Sequence, residues 1–288
     1  MRDHGRISLI SRKNLEPRRA LVDTSRHSHG QYSQSQERAE ILGLPFTLQK
    51  PMTQNTSKGI FFDLGGTLTT ANPSVAEQIV QTLADFGHPF PHHEVANALD
   101  SRAPQFEDPS NSGWTLTHER SYAFWTHYYD SALAELGIAS AARRDIVLRI
   151  YGQLSQPQGY GLYPDVIPVL ERLASEEYTL ALISNWEAWG AELVEYLGIS
   201  RYFPTQVLSG CVGIEKPDVQ IFRMALEQAD MAPEHVLFIG DIVQLDIKPA
   251  EAIGMRAVLI DRHAARGNTD PSRIRSLHEL HNHEFLQR

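Results

Sequence analysis

The stretch Lys58-Gly59-Ile60-Phe61-Phe62-Asp63-Leu64-Gly65-Gly66-Thr67-Leu68 decides how the rest of the chain is read. A short apolar run closed by paired glycines reads as a buried strand ending in a tight turn. A carboxylate, Asp63, stands where that strand ends. Upstream the pattern is different. Residues 1–57 carry a net charge of +4 and are dominated by Ser, Arg, Gln and His, with apolar residues only in pairs such as Leu9-Ile10 and Leu21-Val22. Such a composition cannot bury enough surface to offset chain entropy, so residues 1–57 are expected to form a flexible tail. They lack the apolar centre of a secretory signal. Asp3, Glu16, Asp23, Glu37 and Glu40 disfavour an organelle-targeting segment.

Downstream of Leu68 the period of the apolar residues is helical. Asn72-Pro73 reads as an N-cap with proline in the first helical position. Trp125, Tyr128, Tyr129, Leu133 and Leu136 recur at the spacing of one helix face, and Gly137 closes that helix. A second helix is expected over residues 141–154. After Gly161 strands and helices alternate. Strands are expected at 179–183, 206–208, 236–239 and 257–260. Helices are expected at 165–174, 187–197, 217–229 and 247–253. Repeated strand–helix units predict an α/β fold, a doubly wound parallel sheet with helices on both faces. The expected organisation is a core from residues 58–72 and 161–265, an inserted helical cap from 73–160, and a polar, peripheral segment from 266–288.

Composition narrows the function. Of 288 residues, 42% are apolar and 21% charged, the profile of a soluble globular chain. No apolar run approaches the roughly 18 residues of a membrane span, so no membrane partner is expected. Residues 58–288 carry a net charge of −13, which disfavours nucleic acid as a partner. Cys211 is the single cysteine, which excludes an internal disulfide and a Cys-rich zinc site and suits a cytoplasmic location. An acidic body that handles anions needs a local device such as a metal ion, a lysine or a helix N-terminus.

In an open α/β sheet, ligands bind beyond the carboxyl ends of the strands. Asp63 follows the first strand, Ser184 and Asn185 the second, and Gly240 and Asp241 the last long one, while Lys216 precedes a helix. Singly, each reads as a cap, a turn residue or a solvated charge. On successive strand ends of one sheet they converge on one rim. These residues also resemble the motifs of the haloacid dehalogenase superfamily, in the branch with a helical cap inserted after the first strand. The four motifs are Phe62-Asp63-Leu64-Gly65-Gly66-Thr67-Leu68, Leu182-Ile183-Ser184-Asn185-Trp186, Glu215-Lys216-Pro217-Asp218 and Gly240-Asp241-Ile242-Val243-Gln244-Leu245-Asp246. The resemblance covers about residues 58–261 and implies a Rossmann-like core.

It also implies roles. Asp63 would be the nucleophile that forms an aspartyl-phosphate. Mg²⁺ would be held by Asp63, the backbone carbonyl of Gly65 and Asp241, with Asp246 in support. Ser184 and the backbone N–H groups near Leu64 and Asn185 would bind the phosphoryl oxygens. Lys216 would neutralise charge between Asp63 and a small phosphorylated metabolite.

One departure matters. Phosphatases of this family carry an aspartate two residues beyond the nucleophile, where it acts as general acid and base. Here that residue is Gly65. Such a group contributes ~10²–10⁴-fold in rate, so Gly65→Asp is expected to raise activity. A smaller departure is Leu245 where asparagine is common. The resulting reading is a hydrolase with weakened acid–base chemistry. The alternative is a weak or inactive member that binds a phosphorylated ligand or a protein partner. Carbon–phosphorus hydrolases also lack the second aspartate but use a cap lysine, and no lysine occurs between Lys58 and Lys216. Trp114, Trp125, Tyr128 and Tyr129 are expected in the core of the cap rather than around a ligand. Arg102 and Arg120 are expected to be surface charges, and Cys211 a buried small side chain.

Overall fold

The computed structural model describes residues 58–106, 112–262 and 273–287. The tail expected over residues 1–57 lies outside the described residues. Strand β1, Gly59–Phe62, is buried throughout. It is the centre of a five-stranded sheet completed by β4 (Thr179–Ser184), β5 (Thr205–Leu208), β6 (Val236–Gly240) and β7 (Arg256–Leu259), in the order β5-β4-β1-β6-β7. Every pairing is parallel. Side chains alternate strictly between the two faces. Ile60, Phe62, Leu180, Leu182, Leu237 and Ile239 enter one core cluster, and Phe61, Ala181, Ile183, Val236 and Phe238 enter the other. The helix Val166–Ser175 covers the first face and the helix Val219–Gln228 the second. The sheet is therefore doubly wound, as the alternating pattern predicts.

Between β1 and β4 the chain builds a separate helical unit. It comprises α1 (Val75–Asp85), α2 (His92–Asp100), α3 (His118–Glu135) and α4 (Ser140–Leu154). Ile79, Leu83, Val95, Tyr129, Leu133, Ile146 and Ile150 form its own core. The start of α1 differs from expectation. Its N-cap is Ser74, in a capping box with Glu77, while Asn72-Pro73 is a cis peptide bond before the helix. Ser74 wins because its hydroxyl accepts the Glu77 N–H and the Glu77 carboxylate accepts the Ser74 N–H.

The all-helical reading of 73–160 also needs amendment at its end. Strands β2 (Thr69–Ala71) and β3 (Tyr160–Leu162) pair antiparallel as a ribbon outside the main sheet. The Thr69 hydroxyl donates to the Gly161 carbonyl at 2.8 Å. The two strands by which the chain enters and leaves the helical unit are thus bound to each other.

Residues 273–287 are not peripheral. Ile274, Leu277, Leu280 and Phe285 are buried in the first core cluster. The segment is a 3₁₀-helix, Leu277–Asn282, so its apolar residues recur every three positions, and a 3.6-residue template passes over them. Asp165 anchors it. Its Oδ2 accepts from Arg262 at 2.6 Å, from the Ser276 hydroxyl at 2.6 Å and from the Leu277 N–H at 2.8 Å. Burial opposes the charge of Asp165, and these donors outweigh it, so its pKa is lowered.

Asp165→Ala should destabilise the protein by about 3 kcal/mol or more, because it strands the buried Arg262 without its partner. Thermal unfolding at neutral pH checks this. The folded-state pKa lies below the unfolded value of about 3.9. The contribution of Asp165 is therefore complete above that pH and fades as pH falls through the lower folded value. The gap in melting temperature between Asp165→Ala and the parent should close only in strong acid.

Candidate active site

β1 ends at Phe62, and the Asp63 N–H still bonds the Ile239 carbonyl of β6 at 2.9 Å. That bond holds the Asp63 side chain at the rim of the sheet, where β4 delivers Ser184 and β6 delivers Asp241. The Ser184 hydroxyl donates to Asp63 Oδ1 at 3.0 Å, and Lys216 Nζ donates to the same oxygen at 2.6 Å. Asp63 Oδ2 has no protein donor among the described residues. Lys216 Nζ also donates to Asp246 Oδ1 at 2.5 Å, and Asp246 Oδ2 accepts the Ile242 N–H at 2.9 Å. Asp246 reaches this place through one turn of π-helix, Val243–Ile247, which follows β6.

Asn185 holds the lysine segment by a reciprocal pair. Its Nδ2 donates to the Lys216 carbonyl at 2.8 Å, and its Oδ1 accepts the Lys216 N–H at 2.7 Å. Leu64 lies buried at the turn, its carbonyl accepting from the Leu68 and Thr69 N–H groups. The backbone at 65–66 lies against Asp241. Gly66 has φ 71°, and a Cβ there would fall on the Asp241 carboxylate. Every residue anticipated from the strand ends is therefore in one place.

Carboxylate oxygens of Asp63, Asp241 and Asp246 lie within 4.8 Å of one another. Lys216 is nearly fully buried among them. Burial opposes its charge, but Asp246 and Asp63 outweigh that, so its pKa is raised. Asp241 is pushed well above the usual carboxylate range by burial and by Asp63 and Asp246, with Lys216 opposing. Burial also raises Asp246, against Lys216. Three carboxylates and one ammonium leave an excess of negative charge in a confined, all-oxygen site. Those donors fit a hard divalent cation such as Mg²⁺.

Gly65 packs closely against Trp186. A Cβ at residue 65 would stand 3.1 Å from the Trp186 ring. The left-handed residue of the turn is Gly66, so backbone strain is not what selects glycine at 65. A side chain at residue 65 would therefore press on the Trp186 indole, which would have to give by a few tenths of an ångström. Above it opens a cavity of about 570 Å³, bounded by Gly65, Gly66, Asn185 and Asp241 on the core side and by helices of the cap on the other. Trp114, Trp125, Tyr128 and Tyr129 line it, so these rings face the cavity as well as the cap interior, contrary to expectation. Arg102 pairs with Glu135 at 2.6 Å, and neither it nor Arg120 lines the cavity. Cys211 is exposed, because its short helix, Ser209–Val212, turns that residue outward.

The sequence reading missed the ties between cap and core. Glu215, next to Lys216, accepts from the Gly113 N–H and from the Thr115 hydroxyl, the latter at 2.8 Å. The Ser209 hydroxyl donates to Thr115 Oγ1 at 2.6 Å and accepts the Trp186 N–H at 3.0 Å. No spacing in the sequence announces contacts between residues about 100 positions apart.

Comparison with known proteins points the same way. The sequence model of the haloacid dehalogenase-like hydrolases matches residues 57–254. A phosphoserine phosphatase of Thermus thermophilus is 33% identical over 140 residues, which cover 48% of this chain and 55% of that protein. The chain thus spans about half the length of that relative. A glyceraldehyde 3-phosphate phosphatase of Methanocaldococcus jannaschii is 26% identical over 213 residues, covering 70% of this chain and 84% of the relative. Among solved structures, a HAD-hydrolase of Bacillus subtilis bound to magnesium aligns with a TM-score of 0.61 at 18% identity, covering 78% of this chain and 97% of that one. At that identity the likeness is one of fold.

The Trp186 contact generates a prediction. Gly65→Asp should cost about 1–3 kcal/mol by overpacking against the indole. The double variant Gly65→Asp/Trp186→Leu should lose less melting temperature than the sum of the losses of the two single variants.

Proposed function

The chain belongs to the haloacid dehalogenase-like hydrolases, and on that premise we propose that it hydrolyses a small phosphorylated metabolite through Asp63 with Mg²⁺. We place it in the branch whose helical cap is inserted after the first strand. The observation that carries this reading is the buried Lys216 ammonium 2.6 Å from Asp63 Oδ1, with Asp241 and Asp246 in the same cluster. The single cysteine supports a cytoplasmic setting.

Asp63, the Gly65 carbonyl and Asp241 are the ligands proposed for the metal, with Asp246 in support. When bound, Mg²⁺ supplies positive charge against the phosphoryl oxygens. The remaining roles belong to the chain. Lys216 and Ser184 fix Oδ1 of Asp63, which leaves Oδ2 to attack phosphorus. The ester P–O bond breaks, and its electron pair goes to the leaving oxygen. Water then cleaves the aspartyl-phosphate, releasing inorganic phosphate and regenerating Asp63. Lys216 offsets the repulsion between a carboxylate nucleophile and an anionic substrate. Backbone N–H groups near Leu64 and Asn185 are the proposed phosphoryl donors, joined by the Ser184 hydroxyl when it turns from Asp63 Oδ1 to the incoming phosphoryl group.

Gly65 provides no proton to the leaving oxygen, so solvent must do so. This favours leaving groups that depart as stable anions. It also supports a second reading, a weak or inactive member that binds a phosphorylated ligand or a protein partner, because Trp186 crowds the position of the missing acid.

The two readings separate on turnover of acetyl phosphate and 4-nitrophenyl phosphate with Mg²⁺ and with chelator. The hydrolase reading expects Mg²⁺-dependent turnover, slower for alkyl phosphates by ~10²-fold or more. It also expects loss of turnover in Asp63→Asn and loss of Mg²⁺ binding by calorimetry in Asp241→Ala. No turnover of any phosphate ester or acyl phosphate by the folded protein establishes the second reading instead.

A further inference from the structure

The cavity beside the phosphoryl site carries a chemistry that the aspartyl nucleophile does not require. Eight aromatic side chains line it. Tyr160, Trp186 and Trp189 meet nearly edge to face, with ring centroids 5.2 Å apart for Tyr160 and Trp186 and 5.5 Å for Trp186 and Trp189. Trp125 stacks on Tyr129 from the cap side at 5.7 Å. Among the described residues, no Lys, Arg or His lines the cavity.

Three carboxylates do: Asp241 belongs to the acidic cluster around Lys216, Asp100 is exposed, and Glu187 is buried. Glu187 is only 8% exposed, and its Oε2 accepts a single hydrogen bond, from Trp189 Nε1 at 3.1 Å. It has no ion pair among the described residues. Glu187 also borders a smaller cavity of about 260 Å³ where His118 is the basic side chain, and no hydrogen bond or ion pair joins the two. A largely buried carboxylate with one hydrogen-bond donor keeps acceptor capacity towards the cavity that a cation completes. The surrounding tyrosines do not provide that charge. Burial keeps Tyr129 and Tyr160 protonated, and Glu187 reinforces the effect. The Tyr160 hydroxyl is committed to the Leu154 carbonyl at 2.9 Å.

An anionic substituent would be repelled here by Glu187 and by Asp100, which also lines the cavity. A neutral apolar substituent would leave Glu187 buried without compensation. A cation satisfies both the carboxylate and the ring faces, whose quadrupoles attract positive charge.

We propose that the cavity is an ammonium subsite formed by Glu187 and the rings of Tyr160, Trp186, Trp189, Trp125 and Tyr129, so that the substrate is the phosphate monoester of an amino alcohol. This rests on the phosphohydrolase reading for the other half of the ligand. It also gives Trp186 a purpose. The indole that stands beside Gly65 forms a wall of the subsite. A positive charge near the departing oxygen stabilises the alkoxide, which eases the departure of a leaving group that Gly65 cannot protonate.

The test uses the full chain and tetramethylammonium, a probe without phosphate, so that it stands apart from catalysis. Tryptophan fluorescence is titrated with tetramethylammonium chloride, with tert-butanol as the neutral counterpart and sodium chloride as the ionic-strength control. Saturable quenching by tetramethylammonium alone is expected. Glu187→Gln should weaken it about tenfold or more. Equal responses to tetramethylammonium and tert-butanol, or no saturable response, overturn the subsite. So does unchanged affinity in a folded Glu187→Gln variant. If that variant fails to fold, the selectivity of the unmodified protein decides. Turnover of 4-nitrophenyl phosphate without ammonium binding would sink this proposal and leave the phosphohydrolase standing. Ammonium binding without turnover would do the reverse.

Discussion

The ammonium of Lys216 sits between Asp63 and Asp246, bonded to both and sealed from water. Two carboxylates brought this close in a dry site repel strongly, and removing the cation would leave them uncompensated. The arrangement needs three distant parts of the chain in register. Lys216 is 153 residues from Asp63 and 30 from Asp246. The sheet order makes that possible by putting β1 between β4 and β6, so Ser184, Asp63 and Asp241 leave adjacent strand ends on one side. The reciprocal bonds between Asn185 and the Lys216 backbone then fix the lysine against them. The fold and the electrostatics of the site are one constraint.

Two ties hold the cap in place among the described residues. The β2–β3 ribbon ties its entry to its exit, and Glu215 holds the backbone and hydroxyl of the 113–115 turn directly beside Lys216. What lies between the two fastenings is an aromatic cavity. On the core side of that cavity the Trp186 indole stands 3.1 Å from where a Cβ at residue 65 would lie.

Much of this was legible in the sequence, for a physical reason. Strands of a doubly wound core are short apolar runs closed by turn residues, and chemistry gathers where such runs end. Asp63, Ser184 and Asp241 stand at such ends and Lys216 in the loop before a helix, and it is their convergence on one rim, with the motif resemblance, that marks them. The rest depends on contacts that local pattern does not encode. The strands β2 and β3 have three residues each and become strands only by pairing across about 90 positions. Ile274, Leu277 and Leu280 repeat every three residues in a 3₁₀-helix, which the α-helical template rejects. Cys211 reads as apolar by type, yet a four-residue helix exposes it. Glu187 reads as an ordinary acidic residue near a helix start until the rings of Tyr160 and Trp189 are placed around it.

The central claim is that the Lys216-held carboxylate of Asp63 is a nucleophile. Trapping tests it most directly. The protein is incubated with acetyl phosphate and Mg²⁺, quenched with deuterated borohydride, digested and sequenced by mass spectrometry. Reduction of an acyl phosphate converts the modified aspartate to deuterium-labelled homoserine. The account predicts that label at Asp63, absent when chelator replaces Mg²⁺. Label at another carboxylate, or turnover of acetyl phosphate with no label at Asp63, would contradict it.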